Sequence, residues 1–134
     1  MIHTASFYEE WNFGKGRLVS IALDVPDWFA NHYDSREVAI IEILQPTWHL
    51  INSRKARIMS PDQYEKIYFN LIKERVSGNW YDLENGRLGP KKTLQLFGVK
   101  DGDTLLCWEK HGYFCHRKLV ADLLRKNGID VVRK

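Results

Sequence analysis

The amino-acid sequence predicts a single three-layer α/β domain with a small, mostly parallel sheet. Three observations lead there. The 134 residues are 44% hydrophobic and 28% charged, which suits one domain with a substantial core and is too apolar for a disordered chain. The C-terminal stretch reads strand, loop, helix, strand, a βαβ unit that makes at least part of the sheet parallel. The segments before it follow one another without an internal repeat, a low-complexity tract or a linker, so residues 1–134 are expected to form one unit.

Taken in order, Ile2 to Phe7 reads as a short strand, followed by a charged, glycine-containing loop through Gly16. Arg17 to Leu23 is apolar enough for a mostly buried second strand. Asp24 to Asp34, with Pro26 and Trp28 near its start, reads as irregular. Val38 to Leu44 is a third strand that Pro46 stops. A short helix is expected from Thr47 to about Asn52, then a basic connection through Arg57. Ser60 caps the clearest helix, Pro61 takes its first position and Gln63 completes a capping box. Tyr64, Ile67, Tyr68, Leu71 and Ile72 give that helix one apolar stripe, and Ser77-Gly78 ends it. Asn79 to Gly89 reads as a loop. Pro90 opens a shorter helix with Leu94 and Phe97 inward and Gly98 as its stop. Asp101-Gly-Asp103 turns into the strand Thr104 to Trp108. A last helix spans about Cys115 to Asn127, with Leu119, Val120, Leu123 and Leu124 buried and Gly128 as its C-cap. Ile129 to Val132 closes as a strand.

The bulk properties narrow the function classes. A net charge of +3 permits nucleic-acid or anionic-ligand binding without demanding it. No apolar run approaches a membrane span and no signal-peptide pattern opens the chain, so the expected place is the cytoplasm, with no membrane partner. The two cysteines then read as thiols rather than a disulfide framework. There is no Walker loop, no dinucleotide fingerprint and no nucleophile elbow. No cofactor is expected.

The informative segment is Thr104 to Leu124. Helix N-termini carry partial positive charge and usually attract Asp or Glu. Here His116, Arg117 and Lys118 fill the first turn, and no carboxylate lies between Glu109 and Asp122. That arrangement calls for an anion: a Cys115 thiolate, a bound phosphate or carboxylate, or both. Cys115 is the candidate nucleophile, with His116 and Glu109 handling protons or orientation. Arg117 and Lys118 are the candidate anion-binding side chains, and Cys107, Trp108, Tyr113 and Trp80 the candidate pocket.

Each has a plainer alternative. Cys107, mid-strand, reads first as a buried structural thiol, with a redox pair to Cys115 as the alternative. His116 falls on the apolar helix face, where a packed, hydrogen-bonded imidazole is the default. Arg117 would ordinarily be a solvated charge. Zinc on Cys107, His111, Cys115 and His116 ranks below the anion site, because consecutive Cys115 and His116 are awkward ligands for one tetrahedral ion.

The run Leu105-Leu-Cys107-Trp-Glu109-Lys110, followed by Cys115-His116-Arg117 and a leucine-rich helix, resembles the signature of the domain-of-unknown-function family 488. Gly16 to Ala22, Leu44-Gln-Pro46-Thr-Trp48 and the Tyr64/Tyr68 helix resemble further parts of that family, in order. The resemblance implies a compact cytoplasmic bacterial or phage α/β domain without an established reaction. Its hallmark positions would be Cys107, Glu109, Cys115, His116 and Arg117, with Trp108 at an aromatic position. The His111-Gly-Tyr-Phe114 loop departs from the family in having fewer acidic residues. The function expected is a thiol and arginine site that binds or processes a phosphorylated small molecule or nucleotide. The rival is a non-catalytic nucleic-acid-binding module.

Overall fold

The computed structural model describes residues 1–8, 16–32, 38–55, 58–108 and 116–133. Among these residues, five strands carry the fold: β1 (Ile2–Ser6), β2 (Leu18–Ser20), β3 (Val38–Ile40), β4 (Thr104–Cys107) and β5 (Val131–Arg133). They form one sheet in the order β3-β2-β4-β1-β5, and every neighbouring pair is parallel. The C-terminal βαβ unit is present in a longer form than adjacency would give. Its two strands are separated by β1, which lies between β4 and β5.

Among the described residues, six helices flank the sheet: α1 (Asp27–His32), α2 (Trp48–Lys55), α3 (Pro61–Val76), α4 (Trp80–Glu84), α5 (Pro90–Phe97) and α6 (His116–Lys126). Side chains alternate across a strand, so β4 sends Leu105 and Cys107 to one core and Leu106 to another. The larger core takes Tyr64, Tyr68 and Ile72 of α3, Leu50 of α2, Phe97 of α5 and the buried face of α6. The smaller core, on the opposite face, joins Ala5, Phe7, Leu18, Ala22 and Leu106 to Phe29 of α1. Helices on both sides of a parallel sheet make the expected small α/β architecture. Among the described residues, no helix is long and apolar enough to cross a membrane.

Local chemistry accounts for the helix ends. Ser60 Oγ accepts from the Gln63 amide at 3.2 Å, while Gln63 Oε1 accepts from the Ser60 amide at 2.9 Å, the reciprocal pair the sequence predicts. Gly128, at φ +88°, stops α6 in a conformation that a side chain would oppose. At the amino edge of the sheet, Asp103 is buried and accepts from Arg17 Nε and Nη2 at 3.2 and 2.8 Å and from the Lys100 amide at 2.7 Å. The Asp103 hydrogen bond raises the Arg17 guanidinium above its ordinary value. Gly16 lies so close to this turn that a Cβ there would stand 2.0 Å from the Gly102 carbonyl oxygen.

Several elements differ from expectation. The segment after Asp24 is not wholly irregular: α1 forms there, started by the Phe29 amide donating to the Pro26 carbonyl at 3.1 Å. The strand expected over Arg17 to Leu23 is regular only over β2. The apolar run from Val38 is a strand only to Ile40. Beyond it, Glu42–Leu44 makes a 3₁₀ turn that drives Leu44 into the core. The second helix extends to Lys55, past Asn52. The loop expected over Asn79 to Gly89 contains α4, which exists to bury Leu83. Ile67 is exposed on α3; the stripe runs through Tyr64, Tyr68, Ile72 and Val76 instead, at steps of four residues. Leu94 is half-buried while Phe97 is fully inward.

Candidate functional site at the carboxyl edge of the sheet

In a parallel sheet all strands deliver their exits to one edge. A crevice opens where neighbouring strands send their connections opposite ways. Here β2 leads through α1 to β3, toward one end of the sheet, and its neighbour β4 leads through α6 to β5, toward the other. The switch point therefore lies between β2 and β4. The residues leaving them, and those leaving the adjoining β1, form the candidate site.

On the α6 side, His116 opens the helix and is 4% exposed. Its Nε2 lies 2.7 Å from the Ile21 carbonyl oxygen, just beyond β2, and its ring centroid lies 5.4 Å from that of Tyr68. A carbonyl only accepts, so Nε2 carries the proton and donates. His116 thus bridges the exits of β4 and β2. The packed, hydrogen-bonded reading of this residue describes its placement. Arg117 follows it and is 6% exposed, not solvated as a surface arginine would be. Lys118 is exposed. The first turn of α6 contains no acidic residue.

Cys115, Glu109 and Tyr113 lie outside the described residues, as does His111. Cys107 ends β4 fully buried in the larger core, with a free thiol. Trp108 points the opposite way and packs half-buried on the smaller core. Trp80 is not at this edge. Its ring lies 5.9 Å from Phe69, beside a groove of 480 Å³ that reaches Asp122, Leu123 and Lys126, beyond the first turn of α6. The reason is its position at the start of α4, which packs on the far part of α6. The structure thus brings His116, Arg117 and Trp108 to one edge, seals Cys107 beneath it and sets Trp80 apart. Among the described residues, no three His, Cys, Asp or Glu side chains cluster as a metal site.

Across the sheet from α6, the same edge carries an aromatic assembly that sequence reading did not resolve. Phe7 and Phe29 meet edge to face at 4.9 Å and form its base. Tyr8 lies above, 5.6 Å from Trp28 and 5.8 Å from Trp108. Tyr8 and Trp28 are 48% and 42% exposed. The Trp108 indole donates to the Asp24 carbonyl at 2.9 Å and to Asp24 Oδ1 at 3.2 Å. Ser6 Oγ accepts from the Tyr8 amide at 3.1 Å and donates to the Trp108 carbonyl at 3.3 Å. These bonds fix the exits of β1 and β4 to each other. The available signal was the pair of aromatic doublets, Phe7-Tyr8 just beyond β1 and Trp28-Phe29 in the first turn of α1.

No family model matches this chain, and neither a curated protein nor a solved structure does.

Proposed function

We propose that the carboxyl edge at the head of α6 is a thiol and arginine anion site that binds or processes a phosphorylated small molecule or nucleotide. The observation that carries this reading is Arg117. A guanidinium withdrawn from bulk water stands in the first turn of a helix whose own N-terminus is electropositive and free of acidic residues. Guanidinium is the side chain best shaped to grip two oxygens of one phosphate or carboxylate.

Cys115, immediately before α6, is the proposed thiolate, its proton loss favoured by the helix terminus and the neighbouring cations. Through Nδ1, His116 is the proposed proton carrier, and Glu109 is the proposed orienting partner of Arg117. Trp108 and Tyr113 are the proposed walls, and Lys118 adds attraction from the surface. A reduced thiol fits a cytoplasmic setting. We infer kinship with the domain-of-unknown-function family 488 from the same Cys-Trp-Glu…Cys-His-Arg segment.

The test is the pH dependence of Cys115 alkylation, read on a Cys107→Ser background if Cys107 reacts at all. The expected apparent pKa lies below the free-cysteine value of about 8.5 and rises in Arg117→Ala. An ordinary pKa that Arg117→Ala leaves unchanged overturns the assignment.

The exposed Tyr8 and Trp28 rings favour a second reading, a non-catalytic nucleic-acid-binding module, since successive bases stack on such surfaces. Affinity for a single-stranded oligonucleotide that falls steeply with salt supports it. No binding at low ionic strength removes it.

A further inference from the structure

We propose that Arg125 shuts the outer edge of β5 against strand addition by a second copy of this chain.

The register of the β1–β5 pair fixes which way the β5 peptides face. Ile2 aligns with Val131, and the Ile2 amide donates to the Asp130 carbonyl at 2.9 Å. Along a strand, successive residues turn their N–H and C=O groups to opposite sides. Asp130 and Val132 therefore face β1, while Val131 and Arg133 face away. β5 ends the order β3-β2-β4-β1-β5, so among the described residues no strand lies on that outer side. Open N–H and C=O groups along such an edge are a template for another strand.

The outward Val131 carbonyl, however, is occupied. Arg125, in the last turn of α6, donates to it through Nη2 at 2.9 Å. The same guanidinium donates through Nη1 to Asp122 Oδ1 at 3.4 Å, one turn back on the helix. A charged donor holds a carbonyl more strongly than the neutral amide of an incoming strand does. The turn from α6 into β5 has backbone bonds of its own, from the Gly128 amide to the Arg125 carbonyl at 3.0 Å and from the Ile129 amide to the Leu124 carbonyl at 3.1 Å. The reach of Arg125 to the outer side of β5 is thus an addition to a turn already closed.

A second copy is the occupant this edge fits. Two β5 edges related by a two-fold axis run antiparallel. Val131 of one then lies opposite Arg133 of the other, both turned outward, and each such pair exchanges N–H···O bonds in both directions. Val132 meets its own counterpart between them, with Cα atoms about 4.5 Å apart. Val132 is 41% exposed, an apolar side chain that this pairing would cover. β5 matches itself in hydrogen bonds and in side chain, and the guanidinium stands in the way.

Oxidative cross-linking of the full chain carrying Val132→Cys tests this, with peptide mapping to separate a 132–132 disulfide from any bond to Cys107 or Cys115. Paired edges bring the two introduced thiols within disulfide reach. With Arg125 in place, the 132–132 bond is expected to form slowly. Arg125→Ala in the same background is expected to speed it about ten-fold or more. Without the introduced cysteine, Arg125→Ala is expected to raise the light-scattering mass toward that of a dimer at millimolar concentration. Arg125→Met keeps the aliphatic stem without the donor and is expected to behave alike, so a folding defect of the alanine variant, seen by circular dichroism, does not stop the test. Arg125→Lys restores a donor and is expected to return the rate close to that of the unsubstituted position. Equal rates with Arg125, Arg125→Met and Arg125→Ala overturn the proposal. So does a fast 132–132 bond while Arg125 is present, since the edge then pairs in spite of it.

Discussion

At the scale of single residues, the most constrained group is His116. Its Nε2 is committed to the Ile21 carbonyl, so any acid or base chemistry passes through Nδ1. Arg117 beside it combines charge and burial where the helix field is already positive. The other end of α6 shows a residue with a purely structural duty. Asn127 is buried and donates through Nδ2 to the Leu83 and Leu123 carbonyls at 2.8 and 3.0 Å, while its Oδ1 accepts from the Leu88 amide at 3.2 Å. It ties the α4–α5 connection to the end of α6. Asn127→Ala takes a partner from two buried carbonyls and a part-buried amide, and the expected loss is about 2–3 kcal/mol in urea denaturation. Because the residue stands at the opposite end of the helix from Arg117, ligand affinity of the folded variant is expected to stay at the wild-type value.

At the scale of elements, α3 shows how far local chemistry reaches. Its cap is reciprocal, so Ser60→Ala removes one bond outright and loosens the other. The expected cost is about 1 kcal/mol, seen as a lower urea midpoint with an unchanged slope. This helix, α5, α6 and the strand cores were legible in the sequence because caps, stops and periods are written within a few residues. The short helices were not: α1 and α4 span six and five residues, too little for a helical period to register. Likewise an apolar run such as Val38 to Leu44 does not reveal where strand gives way to a buried turn. The basic first turn of α6 was readable as composition. Arg117's burial was not, because it depends on what the sheet and its connections bring alongside. Tyr8 and Trp28 were invisible as a pair for the same reason. They converge only because β1 and β2 flank β4, a pairing that no local stretch encodes.

For the whole molecule, the order β3-β2-β4-β1-β5 makes nearly every strand contact long-range in sequence. Ile2 aligns with Val131, and His3 with both Thr104 and Val132. Loop closure over such distances is costly before any contact repays it. Refolding from urea is therefore expected in milliseconds to seconds, followed by stopped-flow tryptophan fluorescence; a microsecond relaxation would contradict this topology. The position of β1 has a further consequence for biosynthesis. Among the five described strands, the earliest in sequence, β1, is bonded on both sides by the two latest, β4 and β5. Until residues 104–133 have emerged from a ribosome, its edges have no native partner, so the nascent chain must be kept from alternative pairings while the intervening hundred or so residues are made.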